Sequence, residues 1–309
     1  MDACVVVKHG AYGIVVDCEF PLPIPPVVEE AAPDLRVTRQ RVDDAMVRFA
    51  PVQGVDDEAE IWIEMGWDGD RTVLRFADVL AELIDDRIHV DPLDCDDANY
   101  LGHLILDHII PRWLALRGDF VLHAGAVISP GGAAIALIGD HGQGKSSLTT
   151  ALAQAGWRML GDDACRLVRR GDEWHAYPSY PGTRLMSDSR RVLVPGDAST
   201  PMTDGADKHR VVPDVPRAGA PARLALVIEL GGDSSPPSMR PLSYSQATAS
   251  LTRHSFFLAP RLADVAPRAF TLASALAADI PCMMLDFPRR WDVYPELIEI
   301  LERHEGVTA

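Results

Sequence analysis

A glycine-rich segment in the middle of the chain limits the possible folds more than any other part of the sequence. Residues 133 to 148 read Ala-Ala-Ile-Ala-Leu-Ile-Gly-Asp-His-Gly-Gln-Gly-Lys-Ser-Ser-Leu and match the pattern GxxxxGK[ST]. This pattern has meaning only between a preceding apolar strand and a following helix, and both are present here as Ala133 to Ile138 and Lys145 to Gln154. Further strands and helices alternate after Phe120, so the sequence predicts an α/β domain. The predicted strands include Val121 to Ile128, Leu224 to Leu230 and Cys282 to Asp286, and a helix is predicted around Leu262 to Ala278.

The chemistry of this segment is phosphate binding. Its glycines let the backbone curl so that several N–H groups point inwards, where they can hold phosphate oxygens at the start of a helix. The Lys145 ammonium would reach the β- and γ-phosphates of ATP, and the Ser146 hydroxyl would ligate Mg²⁺. The predicted ATP contacts are Gly139, Asp140, His141, Gly142, Gln143, Gly144, Lys145, Ser146 and Ser147.

An acidic pair follows one helix later. Trp157 to Leu160 is predicted to be a short strand, and Asp162 and Asp163 follow it after a glycine. Successive side chains at a strand end point in opposite directions, so one carboxylate can face a metal and the other a phosphate acceptor. We assign Mg²⁺ to Ser146 and Asp163. Which aspartate acts as the base stays open.

This combination of motifs resembles the catalytic core of the HPr serine kinase family. The resemblance rests on the glycine-rich loop, the Gly-Trp-Arg-Met-Leu-Gly-Asp-Asp segment ending at Asp163, and Leu122-His123-Ala124-Gly125, which is similar to the family's histidine-bearing strand. It implies that His123 pairs with one aspartate. The other aspartate would then accept the proton of a serine hydroxyl during phosphoryl transfer.

The layout outside this core is most similar to HPr-kinase-like proteins of peptide biosynthesis, including lasso peptide kinases. Tyr12-Gly-Ile, Phe20-Pro-Leu-Pro, Pro181-Gly-Thr-Arg184-Leu185 and Lys208-His-Arg210 carry that resemblance. Arg184, Lys208 and Arg210 are predicted to lie on loops, where they could neutralise charge on a transferring phosphoryl group. Residues 195 to 221 are predicted to form a mobile loop that orders over the substrate. His254-Ser-Phe-Phe and Trp291-Asp-Val-Tyr could form an aromatic wall or pack in the core.

The N-terminal part has a different character. Short strand-like runs, together with the turn signal Gly66-Trp-Asp-Gly-Asp, predict a small, mainly antiparallel sheet; the runs are Val5 to Val7, Gly13 to Val16, Ala59 to Met65 and Thr72 to Phe76. A long helix is predicted from Asp97 to about Leu116, with Asp96 or Asp97 as N-cap, Gly118 as stop and a kink or break at Pro111. His103 and His108 are five residues apart, which predicts different helix faces and structural roles.

The fold class predicted from these patterns is α/β: a P-loop kinase domain of HPr-kinase type with a smaller, mainly-β N-terminal domain. The domain limits are 1–96 for the N-terminal domain, 97–118 for a connecting helix and 119–309 for the catalytic domain.

Composition removes several functional classes. The chain has 29 Lys and Arg against 45 Asp and Glu, a net charge of −16, which disfavours nucleic acid and anionic membranes as partners. No segment has the layout of a signal peptide or a transmembrane helix. Five scattered cysteines without a CxxC pair predict free thiols and a cytoplasmic location.

The sequence therefore predicts an ATP- and Mg²⁺-dependent kinase acting on a serine hydroxyl of a peptide, in its sharpest form a lasso peptide tailoring kinase. Two alternatives remain at this stage. The acceptor could be a carrier protein or a small-molecule hydroxyl, or the chain could sense ATP without transferring phosphate. Homo-oligomerisation is left open.

Overall fold

The computed structural model describes residues 7–27, 32–52, 62–69, 71–197, 199–201, 207–256 and 265–304. These form a mixed α/β protein with several sheets and two compact units. The first unit contains the described residues up to Gly118 together with 265–267, and the second contains the rest. The predicted strand at Val5, the beginnings of the strand at Ala59 and of the helix at Leu262, and Cys4 lie outside the described residues.

The first unit is built on one eight-stranded sheet, larger than the modest sheet that the sequence predicts. Its spatial order is β1-β2-β3-β8-β7-β6-β5-β4, in which only the β2–β3 and β3–β8 pairs are parallel. The strands are β1 (Val7–Ala11), β2 (Ile14–Cys18), β3 (Leu35–Arg39), β4 (Arg48–Pro51), β5 (Glu64–Asp68), β6 (Arg71–Arg75), β7 (Leu80–Leu83) and β8 (Arg87–Asp91).

The turn predicted to begin at Gly66 is shorter than expected and begins at Gly69. Gly66 lies inside β5, and the tight connection to β6 begins at Gly69, which has a φ of +60°. A β-carbon at Gly66 would come within 2.7 Å of the Phe49 ring on β4, so this glycine is required by strand packing.

The long helix forms, but its middle turn is wider than an α-helix. It consists of α1 (Ala98–His103), a π-helical turn (Leu104–Ile109) and α2 (Ile110–Arg117), with Asp97 as N-cap and Gly118 as C-cap. It continues through Pro111, which is in the first turn of α2. The prediction that His103 and His108 lie on different faces is wrong, because a π turn brings residues five apart together. Their ring centres are 5.0 Å apart.

The second unit contains a nine-stranded sheet and a three-stranded sheet. The larger has the order β12-β10-β11-β18-β14-β13-β9, and β20 pairs with both β18 and β19. Its strands are β9 (Phe120–Leu122), β10 (Gly125–Ile128), β11 (Ala134–Ile138), β12 (Arg158–Gly161), β13 (Cys165–Arg170), β14 (Glu173–Tyr177), β18 (Ala222–Leu230), β19 (Ser238–Pro241) and β20 (Cys282–Asp286). The smaller sheet has the order β15 (Thr183–Met186), β17 (Lys208–Val211) and β16 (Ser199–Pro201).

Two predictions for this unit need correction. The single strand predicted over Val121 to Ile128 is two strands, β9 and β10, which pair with different neighbours and separate at His123. The segment predicted as a mobile loop over 195 to 221 contains β16 and β17; β17 pairs with β15, and β16 pairs with β17. Arg184, Lys208 and Arg210 therefore lie on adjacent strands and not on loops.

Five helices lie in the second unit among its described residues. They are α3 (Lys145–Gln154), α4 (Ser187–Leu193), α5 (Tyr244–Arg253), α6 (Val265–Asp279) and α7 (Tyr294–Glu302), with a 3-10 turn (Trp291–Val293) before α7. Leu148 and Leu152 of α3 pack on Ile135, Leu226 and Leu297 in the buried core. This packing fixes the start of α3 against the carboxyl end of β11.

Two further observations concern the whole described chain. Within it, no helix combines the length and the apolar composition that crossing a membrane requires. The four cysteines placed in the structure, Cys18, Cys95, Cys165 and Cys282, are free thiols.

Candidate active site

The glycine-rich loop connects β11 directly to α3. Gly142 and Gly144 have φ values of +75° and +90°, which side-chain-bearing residues rarely adopt, so the two glycines set the path of the loop. Gly144 caps α3 without any side-chain hydrogen bond to the first turn. The N–H groups of that turn are therefore left to bind an anion, such as a phosphate group.

The Lys145 side chain folds back onto the backbone of the loop. Its Nζ donates hydrogen bonds to the carbonyl oxygens of Gly139 at 2.7 Å and Asp140 at 3.1 Å. The residue is only 8% exposed, and burial lowers the pKa of Lys145 to about 8, although the charge of Asp162 opposes the shift. A phosphate group would supply the negative charge that this ammonium lacks.

The pKa of Lys145 predicts a pH-dependent cost to folding. The ordinary pKa is 10.5, so between pH 8 and 10.5 the unfolded chain holds a proton that the folded chain has released. The cost is complete below pH 8 and disappears towards pH 10.5. It amounts to about 3 kcal/mol, and losing the two Nζ hydrogen bonds offsets part of any gain. We expect Lys145→Met to raise the free energy of unfolding by about 1–2 kcal/mol at pH 7.

Denaturant titrations of both proteins at pH 7 and pH 10 would measure this effect. The advantage of Lys145→Met should shrink at pH 10, where the wild-type lysine folds with little penalty. A variant less stable than wild type at pH 7 would contradict the prediction.

Asp162 links the loop helix to β15. Its Oδ2 accepts hydrogen bonds from Thr183 Oγ1 at 2.8 Å and from the Arg184 N–H at 3.0 Å. Its Oδ1 is buried and has no hydrogen-bond partner among the described residues. A β-carbon at Gly125 would lie 3.5 Å from that oxygen and would overlap Thr149 of α3, so Gly125 is what allows β10 to pass here.

Asp163 contacts both Arg184 and His123, two residues that the sequence predicts to be functional. Its Oδ2 accepts a hydrogen bond from Arg184 Nε, and its Oδ1 lies 3.5 Å from His123 Nε2. The backbone of Asp163 is left-handed, with a φ of +65°, which turns this side chain away from that of Asp162. The two carboxylates thus point to different partners, as the sequence predicts for an adjacent pair.

His123 lies at the point where β9 and β10 separate. Its N–H donates to the carbonyl oxygen of His254 at 2.7 Å, and its ring stacks near Phe256 with centres 6.1 Å apart. Burial and the positive charges of Lys145 and Arg184 hold the pKa of His123 well below its ordinary value. The imidazole is therefore neutral at pH 7 and adds no charge beside Arg184.

The three cations named from the sequence lie close together on β15 and β17. Arg184 and Arg210 are directly opposite each other in the antiparallel pair, and Lys208 is opposite Met186. Arg184 and Arg210 are each 8% exposed, and the Arg210 guanidinium lies 5.2 Å from the centre of the Tyr180 ring. The charge of Lys208 also lowers the pKa of His123, which places this cationic sheet beside the histidine.

Two charged residues near the loop, Glu229 and Arg253, belong to no motif in the sequence. Glu229 is level with Ile138 at the carboxyl end of β18, the strand beside the loop strand. Arg253 lies 2.8 Å from Glu229 and 3.7 Å from Asp140 of the loop, measured from its NH2 nitrogen. Burial opposes ionisation of Glu229, but the nearby polar groups of His254 and Ser250 and the charge of Arg253 outweigh it, so the pKa of Glu229 lies below its ordinary value. The signal available in the sequence was Glu229 itself, an acidic residue near the end of an apolar strand.

The oxygen groups around α3 fit a magnesium ion. Mg²⁺ prefers oxygen ligands and usually takes few from the protein, because phosphates and water supply the others. The buried Oδ1 of Asp162 is such an oxygen, and Ser146 lies half-buried in the first turn of α3. No group of three or more His, Cys, Asp or Glu side chains suited to a metal occurs in the described part of the chain.

Comparisons with known proteins find similarity among solved structures. No family model matches the sequence, and no curated protein matches it. Among solved structures, the chain is similar to the Hpr(Ser) kinase/phosphatase of Coxiella burnetii, with 13% sequence identity and a TM-score of 0.33. The match covers 60% of this chain and 95% of the other. At this level of similarity, function has to be argued from the residues of the site.

Proposed function

We propose that this protein is an ATP-dependent kinase that transfers a phosphoryl group to a serine hydroxyl of a peptide. The observation that carries the proposal is the placement of Asp163 between Arg184 and His123, in the same unit as a glycine-rich loop with a buried lysine. Phosphoryl transfer needs positive charge around the moving group and a carboxylate to orient the acceptor and take its proton. A protein that only senses ATP has no use for the second requirement.

Each residue then has a defined task. The loop N–H groups and Lys145 hold the phosphates of ATP, and Arg184 stabilises the charge that spreads over the transferred group. Asp163 orients the serine hydroxyl and accepts its proton, while neutral His123 holds the Oδ1 side of that carboxylate. Lys208 and Arg210 add positive charge beside His123 and complete a cationic border in a chain that is otherwise acidic.

Mg²⁺ would be held by Ser146 and Asp162. The sequence assigns Asp163 to the metal, but both oxygens of Asp163 already face Arg184 and His123, whereas Oδ1 of Asp162 is unpartnered. When bound, the ion neutralises charge on the β- and γ-phosphates. Thr183 and the Arg184 N–H keep the other oxygen of Asp162 fixed, so the carboxylate is held in place before any metal arrives.

A short peptide is the acceptor that the charge distribution favours. The chain carries a net charge of −16, so a strongly acidic partner is repelled except along the path bordered by Arg184, Lys208 and Arg210. A neutral or basic peptide with serine near a flexible end can place its hydroxyl beside Asp163 without unfolding. Tailoring of a lasso peptide is the most specific form of this proposal.

Mass spectrometry of synthetic peptides incubated with the protein and ATP-Mg²⁺ tests this directly. We expect a neutral or basic peptide with one serine near its end to gain one phosphoryl group, and the matched Ser→Ala peptide to gain none. Consumption of ATP with a small alcohol but with no peptide would favour a small-molecule acceptor. Tight ATP binding without transfer to any acceptor would favour an ATP sensor.

A further inference from the structure

We propose that Arg289 and Trp291, backed by the buried rings of Phe287 and Tyr294, form the subsite for the purine ring of the nucleotide. These four residues, called the base surface here, lie between β20 and the start of α7. The inference rests on the proposed function and extends it, because it says where the nucleoside lies and which side chains contact it.

Arg289 joins the base surface to the glycine-rich loop. Its guanidinium donates hydrogen bonds to Gln143 Oε1 and to the carbonyl oxygen of Gly231. The guanidinium carbon lies 4.0 Å from the centre of the Phe287 ring, so one face of this planar cation is covered by an aromatic side chain. The residue is exposed overall. The opposite face of the guanidinium can therefore stack on a flat ligand ring.

Tyr294 and Trp291 border the same end of the loop. A β-carbon at Gly144 would lie 3.7 Å from the Tyr294 hydroxyl oxygen, and the nearby Ser147 of α3 opposes the rise that burial gives the pKa of Tyr294. The rings of Trp291 and Tyr294 have centres 5.2 Å apart and planes inclined by 31°. Trp291 is half-buried, so part of its ring remains accessible beside the loop.

The two ends of the loop differ in chemistry, and this difference gives the direction of the nucleotide. At the Asp140 end lies Arg253, and the next residue, His254, accepts the N–H of His123. The reacting γ-phosphate belongs at that end, next to His123 and Asp163. A nucleotide whose γ-phosphate lies there must direct its ribose and base towards the other end, where Gln143, Gly144 and Ser147 contact the base surface.

The chemistry of the base surface suits a purine. Aromatic faces stack on nucleobases of any sequence, and a guanidinium adds a cation–π contribution to the same ring. A triphosphate without a base would use the loop alone. The proposal therefore predicts that changes in the base surface weaken the binding of ATP and leave that of tripolyphosphate unchanged.

Calorimetric titration of the full chain with ATP-Mg²⁺ and with Mg²⁺-tripolyphosphate separates these contributions. We expect Arg289→Met to weaken ATP binding about ten-fold and tripolyphosphate binding less than two-fold. Arg290→Met is the matched control, since Arg290 pairs only with Asp292 in the structure and both side chains are well exposed, at 63% and 70%. It should leave both affinities unchanged.

Tryptophan fluorescence gives a second, milder test. ATP should quench part of the emission of the wild-type protein, and Trp291→Phe should remove that change while keeping most of the affinity. Trp62→Phe, which alters a 56% exposed tryptophan of the first unit, should keep the quenching.

The outcomes distinguish this inference from the function on which it rests. Equal losses of ATP and tripolyphosphate affinity in Arg289→Met would mean that Arg289 contacts phosphate, which overturns the base surface and leaves the kinase intact. Unchanged ATP affinity in Arg289→Met, together with ATP-dependent quenching that persists in Trp291→Phe, would overturn it as well. An ATP-selective loss in a protein that transfers no phosphate would support the subsite and refute the kinase.

Discussion

Asp163→Asn should slow phosphoryl transfer by roughly 10²- to 10⁴-fold, the range that general base catalysis supplies, and should leave ATP affinity within a few-fold of wild type. Asparagine has the size of aspartate and tolerates the left-handed backbone at this position, where φ is +65°. The substitution removes the negative charge that contacts Arg184 and faces His123. Single-turnover kinetics with saturating ATP and a peptide acceptor would measure the loss.

The neighbouring aspartate provides the comparison. Asp162→Asn should raise the Mg²⁺ concentration needed for half-maximal activity, because its Oδ1 is the oxygen proposed for the metal. Asp163→Asn should leave that concentration unchanged. Normal turnover in both variants would mean that the acidic pair is only part of a turn.

Lys145→Ala should weaken ATP binding about 10- to 100-fold, since one or two hydrogen bonds from a charged group to phosphate are lost, and should abolish detectable transfer. The buried ammonium donates hydrogen bonds to the loop backbone, at the carbonyl oxygens of Gly139 and Asp140. Equilibrium binding of a fluorescent ATP analogue, followed by competition with ATP, would measure the affinity.

The thermal stability of Lys145→Ala shows whether a loss of ATP binding could come from unfolding. Removing a charge that is costly to bury should not destabilise the protein, so a loss of ATP binding cannot be attributed to unfolding when the thermal transition stays at or above that of wild type. Full activity in Lys145→Ala would remove the glycine-rich loop from the site.

The parts of the site that follow from local sequence were predictable. The limits of α3 at Lys145 and Gln154 are confirmed, because the glycines before it and the apolar spacing within it act over a few residues. β20 over Cys282–Asp286 is confirmed for a similar reason: a short apolar run between a proline and another proline leaves few alternatives. The opposite orientations of Asp162 and Asp163 also follow from their adjacency.

The parts that depend on distant pairing were not predictable. Nothing near His123 indicates that the strand divides there, because β9 and β10 separate to pair with β13 on one side and β11 on the other. The polar composition of residues 199 to 211 favours a loop, and β16 and β17 form there because β17 pairs with β15 on one side and with β16 on the other. The contact of Arg253 with Glu229 joins residues 24 positions apart in sequence, beyond the reach of any short motif.

Two residues of the site lower the stability of the fold that carries them. Lys145 is a buried ammonium, and Asp163 occupies a left-handed backbone conformation that glycine would adopt at a gain of about 1 kcal/mol. A selection for heat resistance alone would therefore favour replacement at position 145 and would yield a folded protein without the proposed ATP binding. At position 163 the backbone gain is opposed, because replacement would remove the carboxylate that pairs with the buried Arg184. Anyone who engineers this protein for industrial or crystallographic use should hold both positions fixed and seek stabilising changes in the first unit instead.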